Sequence, residues 1–275
     1  VDMYAKCGEL YEARKVFDRL EKKSLVSWGA MILGYAQHDK VHSVFGLFNK
    51  MLQDGIEPST VTFSSVLKAC GNIGAIVYGM LTHVQILERE LESNVSIGSA
   101  LVDMYTKCKC LGEAYHVFIR LRGRNIVSWG AMIAGLSQCD QELHAFQLFD
   151  EMIAYGMQPN RVIILCILKA CASLRAISKG QKIHKTILED GIDGDSVIGN
   201  TLIEFYAKCG FFLEAKDVFS ELSERSIMSW NAMASGYAEH GLFEEVFDIF
   251  MKMQLEGESP DAIMFIRLLK GCVHL

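Results

Sequence analysis

The chain has 275 residues, of which 51% are hydrophobic and 22% are charged, a composition typical of a folded protein and not of a disordered one. Its net charge of −6 and isoelectric point near 5.8 have the wrong sign for a protein that holds nucleic acid by bulk electrostatic attraction. No run of 18 apolar residues occurs, so we expect no membrane-spanning segment. The nine cysteines, without a signal peptide, indicate reduced thiols in a cytosol-like or organellar interior. Three prolines and 23 glycines favour many short helices.

The sequence repeats itself with an interval of 101 residues. All three tryptophans and all three prolines keep this interval, and so do several cysteines, glycines and phenylalanines. Examples are Trp28, Trp129 and Trp230, Pro58, Pro159 and Pro260, Cys7, Cys108 and Cys209, and Gly34, Gly135 and Gly236. A fixed period of this kind is the signature of a repeat architecture.

Each period divides into three repeat units of 35, 35 and 31 residues. In the first complete unit, apolar residues from Trp28 to Tyr35 follow the spacing of one helical face. A second apolar stripe runs from Val41 to Leu52, and Gly55 can end that helix. One helix pair cannot bury its apolar face alone, so successive pairs must stack. The sequence therefore predicts an all-α solenoid of helix-turn-helix repeats with one groove.

The pattern gives seven complete repeat units and a partial unit at each end. The complete units span residues 25–59, 60–94, 95–125, 126–160, 161–195, 196–226 and 227–261, and the partial units span residues 1–24 and 262–275. Because both ends fall inside the pattern, we expect the chain to be a fragment of a longer protein.

Signatures of enzymes and metal sites are absent from the sequence. It contains no G-x-x-x-x-G-K loop, no strand before a G-x-G-x-x-G, and no H-x-E followed by P-C-x-x-C. No C-x-x-C pair is present to hold zinc. His83 and His184 share the repeat interval, which is more typical of a structural role. We therefore expect no catalytic residue, no metal ion and no other cofactor.

Four stretches resemble the pentatricopeptide repeat proteins of plant organelles. They are Asn-Ile-Val-Ser-Trp at residues 125–129, Val-Asp-Met-Tyr-Ala-Lys-Cys-Gly at residues 1–8, Ala-Arg-Lys-Val-Phe-Asp at residues 13–18, and Leu-Lys-Ala-Cys at residues 67–70. The alternation of 35, 35 and 31 residues resembles the PLS subclass, whose motifs are termed P, L and S, whereas tetratricopeptide repeats keep a uniform 34-residue period. The resemblance covers the whole chain and implies a right-handed superhelix.

The same resemblance assigns a motif type to every repeat unit. Residues 25–59, 126–160 and 227–261 would be P motifs, residues 60–94 and 161–195 L motifs, and residues 95–125 and 196–226 S motifs, with a partial S motif at residues 1–24 and a partial L motif at residues 262–275. In this family the fifth and the last residue of each motif read one RNA base. The protein's N-to-C direction runs parallel to the RNA's 5′-to-3′ direction.

The resemblance implies sequence-specific binding of single-stranded RNA in organelle RNA processing, namely editing or other modification, splicing or stability. It implies a mitochondrial or chloroplast location. The partners would be single-stranded RNA and protein editing factors, with no membrane, and the chain would be a monomer. Some relatives carry a deaminase beyond the repeats, and such a domain could follow in the full-length protein. This stretch would be no enzyme itself.

Two of the reading pairs are similar to pairs that favour adenine. They are Ser64 with Asn94 and Ser99 with Asn125. Gly130 with Asn160 is ambiguous between adenine and no reading. Asparagine and serine in turns also form turns and cap helices, and that interpretation stays open beside the reading role.

Two further pairs are similar to pyrimidine readers. Asn200 with Ser226 resembles a cytosine pair, and Asn231 with Asp261 resembles the best-defined uracil pair of the family. Two pairs depart from the family's pattern, namely Gly29 with Ser59 and Leu165 with Asp195. These departures leave the bases of two repeats unread.

Three lysines fall at the thirteenth position of the S motifs, where the family places a phosphate contact: Lys6, Lys107 and Lys208. They could equally be solvated lysines that complement a helix C-terminus. The tryptophans could stack on bases, but their place in the apolar stripe favours core packing.

Two other functions are compatible with the sequence. A protein-interaction solenoid would use the groove for a peptide or partner, and the acidic charge and the weak readers Gly29 and Leu165 favour it. A degenerate repeat fragment would bind nothing well, and the same departures from the pattern favour that alternative.

Overall fold

The computed structural model describes residues 1–274 and the side chains of residues 1–273. This part of the chain contains seventeen α-helices and no strand. They are α1 (Asp2–Lys6), α2 (Leu10–Asp18), α3 (Leu25–Gln37), α4 (Val41–Gln53), α5 (Thr60–Asn72), α6 (Ile76–Leu87), α7 (Val95–Lys107), α8 (Leu111–Arg120), α9 (Ile126–Gln138), α10 (Glu142–Ala154), α11 (Arg161–Leu174), α12 (Ile177–Glu189), α13 (Ser196–Lys208), α14 (Phe212–Glu221), α15 (Ile227–Glu239), α16 (Phe243–Leu255) and α17 (Ala262–His274).

The helices come in pairs, and the odd-numbered helix of each pair is called its first helix. From α3 onward, every first helix begins at the first residue of a predicted repeat unit. The residue before each of these helices is a serine, asparagine or aspartate. Its side chain usually accepts a hydrogen bond from a backbone amide of the new helix, as Ser24 does from the Ser27 amide at 3.3 Å. The assignment of these units to P, L and S motifs stays a prediction.

Glycine follows the end of α4, as the sequence predicts, and the end of its equivalents α10 and α16. Helix α4 ends at Gln53, and Gly55 follows with a φ of +71°. The Ile56 amide donates to the Met51 carbonyl at 3.1 Å, the bond of a Schellman C-terminal motif. Gly156 and Gly257 also have positive φ values, +75° and +86°. A residue without Cβ adopts this conformation at no steric cost.

The tryptophans lie in the core, so the interpretation of base stacking is wrong for them. Each is buried and meets a phenylalanine of the preceding second helix edge to face, with ring centroids 4.7 to 4.8 Å apart. The pairs are Phe17 with Trp28, Phe118 with Trp129, and Phe219 with Trp230. Edge-to-face contact is the favoured geometry for aromatic rings.

Glycines at the 101-residue interval let neighbouring first helices approach closely. A Cβ added to Gly34 would lie 2.6 Å from the Cβ of Ala5, and one added to Gly236 would lie 2.3 Å from the Cβ of Ala207. Gly135 has the same relation to Thr106, at 2.4 Å. Any side chain at these positions would force the helices apart.

The helices fall into two compact halves. The N-terminal half comprises residues 1–141, and the C-terminal half begins at residue 142. Within each half the first helices pack side by side. Each second helix packs on its own first helix except α10, which packs on α11. The predicted fold class, an all-α stack of helix-turn-helix repeats, is therefore confirmed for each half. None of the described helices is long and apolar enough to cross a membrane.

Candidate functional site

In the N-terminal half, the first helices line a groove made of two adjoining cavities of about 420 Å³ and about 620 Å³. The smaller lies along α3 and α5, and the larger runs from α5 past α7 to the start of α9. Ser64, Lys68 and Ser96 line both, so the cavities are continuous. The N-terminal groove means this joined space.

Ser64 lies half-buried in the N-terminal groove. Its predicted partner, Asn94, is exposed, and the Asn94 Oδ1 accepts hydrogen bonds from the amides of Ser96 and Ile97 at 3.0 and 3.2 Å. No hydrogen bond joins Ser64 to Asn94 among the described residues. Asn94 therefore acts as the N-cap of α7, with its amide nitrogen left for other contacts.

Ser99 and Asn125 are brought together in the same groove. Ser99 is buried, and its Oγ lies 2.6 Å from the Val95 carbonyl oxygen and 3.2 Å from Asn125 Oδ1. Asn125 Oδ1 also accepts from the Ser128 amide at 2.9 Å, and the Asn125 amide donates to Ser128 Oγ at 3.1 Å. These contacts form a capping box. With its oxygen engaged, Asn125 presents its amide nitrogen as a donor.

In the C-terminal half, Asn231 and Asp261 also meet directly. Asn231 Nδ2 donates to Asp261 Oδ2 at 2.9 Å, and Asp261 Oδ1 accepts from the Met264 amide at 2.9 Å. The side chain of Arg267 joins this pair, since its Nη1 donates to Asn231 Oδ1 at 3.2 Å. Arg267 was not among the predicted site residues. No repeated pattern in the sequence indicates its role, because no other repeat unit carries an arginine at its sixth position.

Asn200 and Ser226 form no hydrogen bond with each other among the described residues. Asn200 is half-buried on α13, and its Oδ1 is buried without a hydrogen-bond partner. Ser226 is exposed before α15, and its side chain caps nothing. A buried oxygen without a partner is costly. Both side chains therefore retain unused hydrogen-bonding capacity.

The pair of Leu165 and Asp195 offers few polar groups that could bind a base. Leu165 is half-buried on α11 and offers no polar group. Asp195 caps α13 through the Val197 amide at 2.9 Å, and its Oδ1 accepts from Arg161 Nη2 at 3.1 Å. The hydrogen bond from Arg161 lowers the pKa of Asp195. This carboxylate is therefore engaged inside the protein.

The two glycine-containing pairs differ in burial. Gly29 on α3 is half-buried, and Ser59 caps α5 by accepting from the Thr62 amide at 3.2 Å. Gly130 is buried on α9 in the N-terminal half, and the exposed Asn160 in the C-terminal half caps α11 through the Ile163 amide at 3.0 Å.

The capping interpretation of the last residues is thus confirmed for every predicted pair except that of Ser226. Their reading role stays a prediction.

The three predicted phosphate lysines each form an ion pair with an acid four residues earlier on the same helix. The pairs are Lys6 with Asp2 at 2.8 Å, Lys107 with Asp103 at 2.8 Å, and Lys208 with Glu204 at 2.7 Å. Burial acts to lower the pKa of Lys208, but the hydrogen bond and charge of Glu204 raise it above its ordinary value. Each lysine stands in the last turn of its helix, as the helix-end interpretation requires.

The second residue of nearly every repeat unit was not predicted as part of the site, although it shares the face of the fifth. Seven of these side chains are apolar and yet 45% to 77% exposed. They are Val26, Val61, Val127, Val162, Val197, Met228 and Ile263. Positions three residues apart are neighbours on a helix surface, and Val61 and Val127 line the N-terminal groove. Their signal in the sequence is a recurring apolar residue outside the core stripe.

Comparison with known proteins decides the family. A model of the PPR repeat family matches residues 23–72, and a model of the PPR repeat matches residues 1–25, 99–126, 127–157, 200–227 and 228–258. The chain belongs to the pentatricopeptide repeat family. Assignment to the PLS subclass stays a prediction.

Curated pentatricopeptide repeat-containing proteins of Arabidopsis thaliana match along the chain. A chloroplastic one is 37% identical over 272 residues, which cover 99% of this chain and 44% of the relative. A mitochondrial one is 34% identical over 275 residues, which cover 100% of this chain and 49% of the relative. The chain thus spans less than half the length of these two relatives. Their locations agree with the expected mitochondrial or chloroplast location.

Solved structures share the fold. The pentatricopeptide repeat protein PPR10 in complex with an 18-nucleotide psaJ RNA element gives a TM-score of 0.83 at 20% identity, covering 98% of this chain and 40% of that one. The nuclear proteinaceous RNase P 2 of Arabidopsis thaliana gives a TM-score of 0.53 at 11% identity, covering 68% of this chain and 43% of that one. At these identities the likeness concerns the fold alone.

Proposed function

We propose that the chain binds single-stranded RNA on the face of its first helices, with one base at each repeat, as part of organelle RNA processing such as editing. The observation that carries the proposal is that a polar fifth residue shares a helix face with an exposed apolar second residue in three repeat units, namely Ser64 with Val61, Asn200 with Val197, and Asn231 with Met228. PPR10, which shares the fold, was solved in complex with an RNA element, and this supports RNA as the class of ligand.

The apolar second residues supply the first part of the binding chemistry. An exposed aliphatic side chain next to the groove can lie against the flat face of a base. Every base has such a face, so this contact tolerates any sequence. Val61 and Val127 stand at the wall of the N-terminal groove, where they would cover the bases that neighbouring polar residues read.

The fifth and last residues supply selectivity. Ser99 and the Ser128 amide hold Asn125 Oδ1, which leaves the Asn125 amide nitrogen to donate to a base edge. The Watson–Crick edge of adenine carries a ring nitrogen that accepts such a bond. An adenine preference at this repeat therefore agrees with the hydrogen bonds around Asn125.

The acidic net charge limits the affinity more than the selectivity. Because Lys6, Lys107 and Lys208 are each paired with an acid, they offer the phosphates only a weakened positive charge. Lys68, which lines both cavities of the N-terminal groove, is exposed and forms no ion pair among the described residues. We expect binding to weaken with added salt less steeply than for basic RNA-binding proteins.

The test measures binding to single-stranded RNAs that carry A-A-N-N-C-U in the proposed register. Exchanging the C and the U should weaken binding several-fold, since each wrong base costs on the order of 1 kcal/mol. Asn231→Thr should move the preference at the last read position from U toward G, because Asp261 remains. Circular dichroism of each variant controls for folding. A helical protein with no preference among these RNAs would disprove the proposal.

A second candidate function is protein binding, and a surface on α6 favours it. Five apolar side chains on this second helix are 44% to 65% exposed, namely Val77, Met80, Leu81, Val84 and Leu87. Single exposed apolar residues are ordinary, but a contiguous stripe indicates a contact surface. Val77→Ser with Val84→Lys introduces the residues found 101 positions later, at Ser178 and Lys185. If α6 serves protein binding alone, RNA affinity should be unchanged in this variant while binding of an editing-factor protein is lost.

A further inference from the structure

A guanidinium group lies against the Asn231 side chain in the C-terminal half. Arg267 on α17 is half-buried, and its Nη1 donates to Asn231 Oδ1 at 3.2 Å while its Nη2 donates to Ser235 Oγ at 2.9 Å. Asn231 and Ser235 stand one turn apart on α15. Arg267 is neither a fifth nor a last residue of a repeat unit, so the reading pairs alone assign it no role.

The contacts of Asn231 determine which way its amide points. A carboxamide has an accepting oxygen and a donating nitrogen, whereas arginine only donates and a carboxylate only accepts. Asn231 therefore turns its oxygen toward Arg267 and its nitrogen toward Asp261 Oδ2, at 2.9 Å. The reverse orientation would set donor against donor at Arg267 and acceptor against acceptor at Asp261. Two independent contacts favour one orientation.

This orientation leaves a defined set of free groups. Asn231 retains one N–H, and Asp261 retains lone pairs on its carboxylate. A donor beside an acceptor complements uracil, which carries a carbonyl oxygen next to an N–H. Cytosine carries an amino group next to an unprotonated ring nitrogen, the opposite arrangement. An Asn231 side chain free to turn would offer its oxygen to that amino group.

Asn200 is the matched case without an arginine. Arg267 is the sixth residue of the repeat unit that follows the unit of Asn231. In the repeat unit that follows the unit of Asn200, the sixth residue is Ala232. Asn200 Oδ1 has no hydrogen-bond partner, and the last residue of its pair, Ser226, is a hydroxyl that can donate or accept. Among the described residues, no hydrogen bond fixes the orientation of this amide. The two asparagines thus differ in how firmly their orientation is set.

We propose that Arg267 is a specificity-determining residue, which holds the Asn231 carbonyl and thereby makes this repeat select uracil over cytosine. The inference rests on the proposed RNA binding. Arg267 acts through Asn231 as a positioning residue, with Ser235 as the second anchor of its guanidinium. Its positive charge also lies near the negative charges of Asp261, Glu239 and Glu204.

The experiment measures the ratio of affinities for two RNAs that differ only in U or C at the Asn231 position. The unaltered chain should favour U by about tenfold, the size of a good base-edge contact. Arg267→Met should reduce this ratio to about twofold, mainly by strengthening binding to the C probe relative to the U probe. Arg267→Lys should restore part of the ratio, because an ammonium can donate to the Asn231 oxygen but cannot span to Ser235.

Two further variants keep the outcome interpretable. Ser235→Ala removes only the anchor, so it should lower the U-to-C ratio in the same direction but less, even if Arg267→Met fails to fold. Lys252→Met removes one positive charge from the exposed face of α16 and should leave the ratio unchanged. Circular dichroism confirms folding for each variant.

The possible results separate the two proposals. An unchanged ratio in Arg267→Met, or an equal loss of affinity for both probes, would overturn the role of Arg267 while RNA binding stands. Equal loss would instead mark Arg267 as a general charge contact. If the unaltered chain binds neither RNA, the proposed function fails, and the role of Arg267 fails with it.

Discussion

The interior of the protein and the face of its first helices differ in how they use the 101-residue repeat. In the interior the same contacts recur. His83 Nδ1 lies 2.8 Å from the Tyr105 hydroxyl, and His184 Nδ1 lies 2.9 Å from the Tyr206 hydroxyl. Each helix pair meets the same kind of neighbour, so the same side chains solve the same packing problem.

On the face of the first helices, equivalent positions carry different residues. Ser99 and Asn125 correspond to Asn200 and Ser226, with serine and asparagine exchanged. The first pair is hydrogen-bonded and caps a helix, whereas the second pair forms no mutual hydrogen bond in the described part of the chain and leaves Asn200 Oδ1 without a partner there. The interior is thus uniform, whereas the face of the first helices varies from one repeat to the next, as the proposed reading of different bases requires.

The largest expected effect comes from the interior. Trp230→Ala removes a buried ring that packs on Phe219 at 4.7 Å, so the free energy of unfolding should fall by about 3 to 5 kcal/mol. Urea denaturation followed by circular dichroism measures it. Below the unfolding transition, base preference should stay as it was. A loss of less than about 1 kcal/mol would mean that the repeat core does not depend on this ring.

A substitution in the N-terminal groove should instead change base preference and leave stability nearly unchanged. Asn125→Asp keeps a side-chain oxygen for the Ser128 amide, and aspartate caps helices as well as asparagine does, so stability should change by less than about 0.5 kcal/mol. The carboxylate only accepts, so the preference should move from adenine toward guanine, whose edge donates from two nitrogens. We expect a change of about tenfold in the ratio of affinities. An unchanged preference would exclude a reading role for Asn125.

The interior could be predicted from the sequence because its signals are periodic. The interval of the tryptophans, the apolar stripes and the glycine stops determine where the helices of each repeat unit lie, and Gly55 takes the positive φ that such a stop requires. These features depend on local chain conformation and on identical neighbours. Spacing alone is enough to reveal them.

The hydrogen bonds and ion pairs on the face of the first helices could not be predicted, because each depends on a single contact between particular side chains. Arg267 reaches Asn231 across 36 residues, and no repeated pattern marks it. The pairing of Lys208 with Glu204 was visible as a four-residue spacing, but its effect on the lysine's charge needed the distance of 2.7 Å. Fifth and last residues could be located by register, whereas their hydrogen-bonded states could not.

The smallest expected effect is the dependence of stability on pH. It should arise from two histidines outside the reading pairs and should leave base preference unchanged. Burial lowers the pKa of His83 and of His184 below the ordinary value of 6.5, and Glu92 opposes the shift at His83. The unfolded chain therefore takes up protons near pH 6.5 that the folded chain resists, so this part of the stability is present above that pH and is lost as the pH falls below it.

Urea denaturation at pH 7.5 and 5.5 should give a lower free energy of unfolding at the acid value. Replacing both histidines by glutamine should flatten this difference, while RNA preference at pH 7.5 stays unchanged, because neither histidine belongs to a reading pair. A steeper fall in the double variant than in the unaltered chain would show that other groups cause the acid sensitivity.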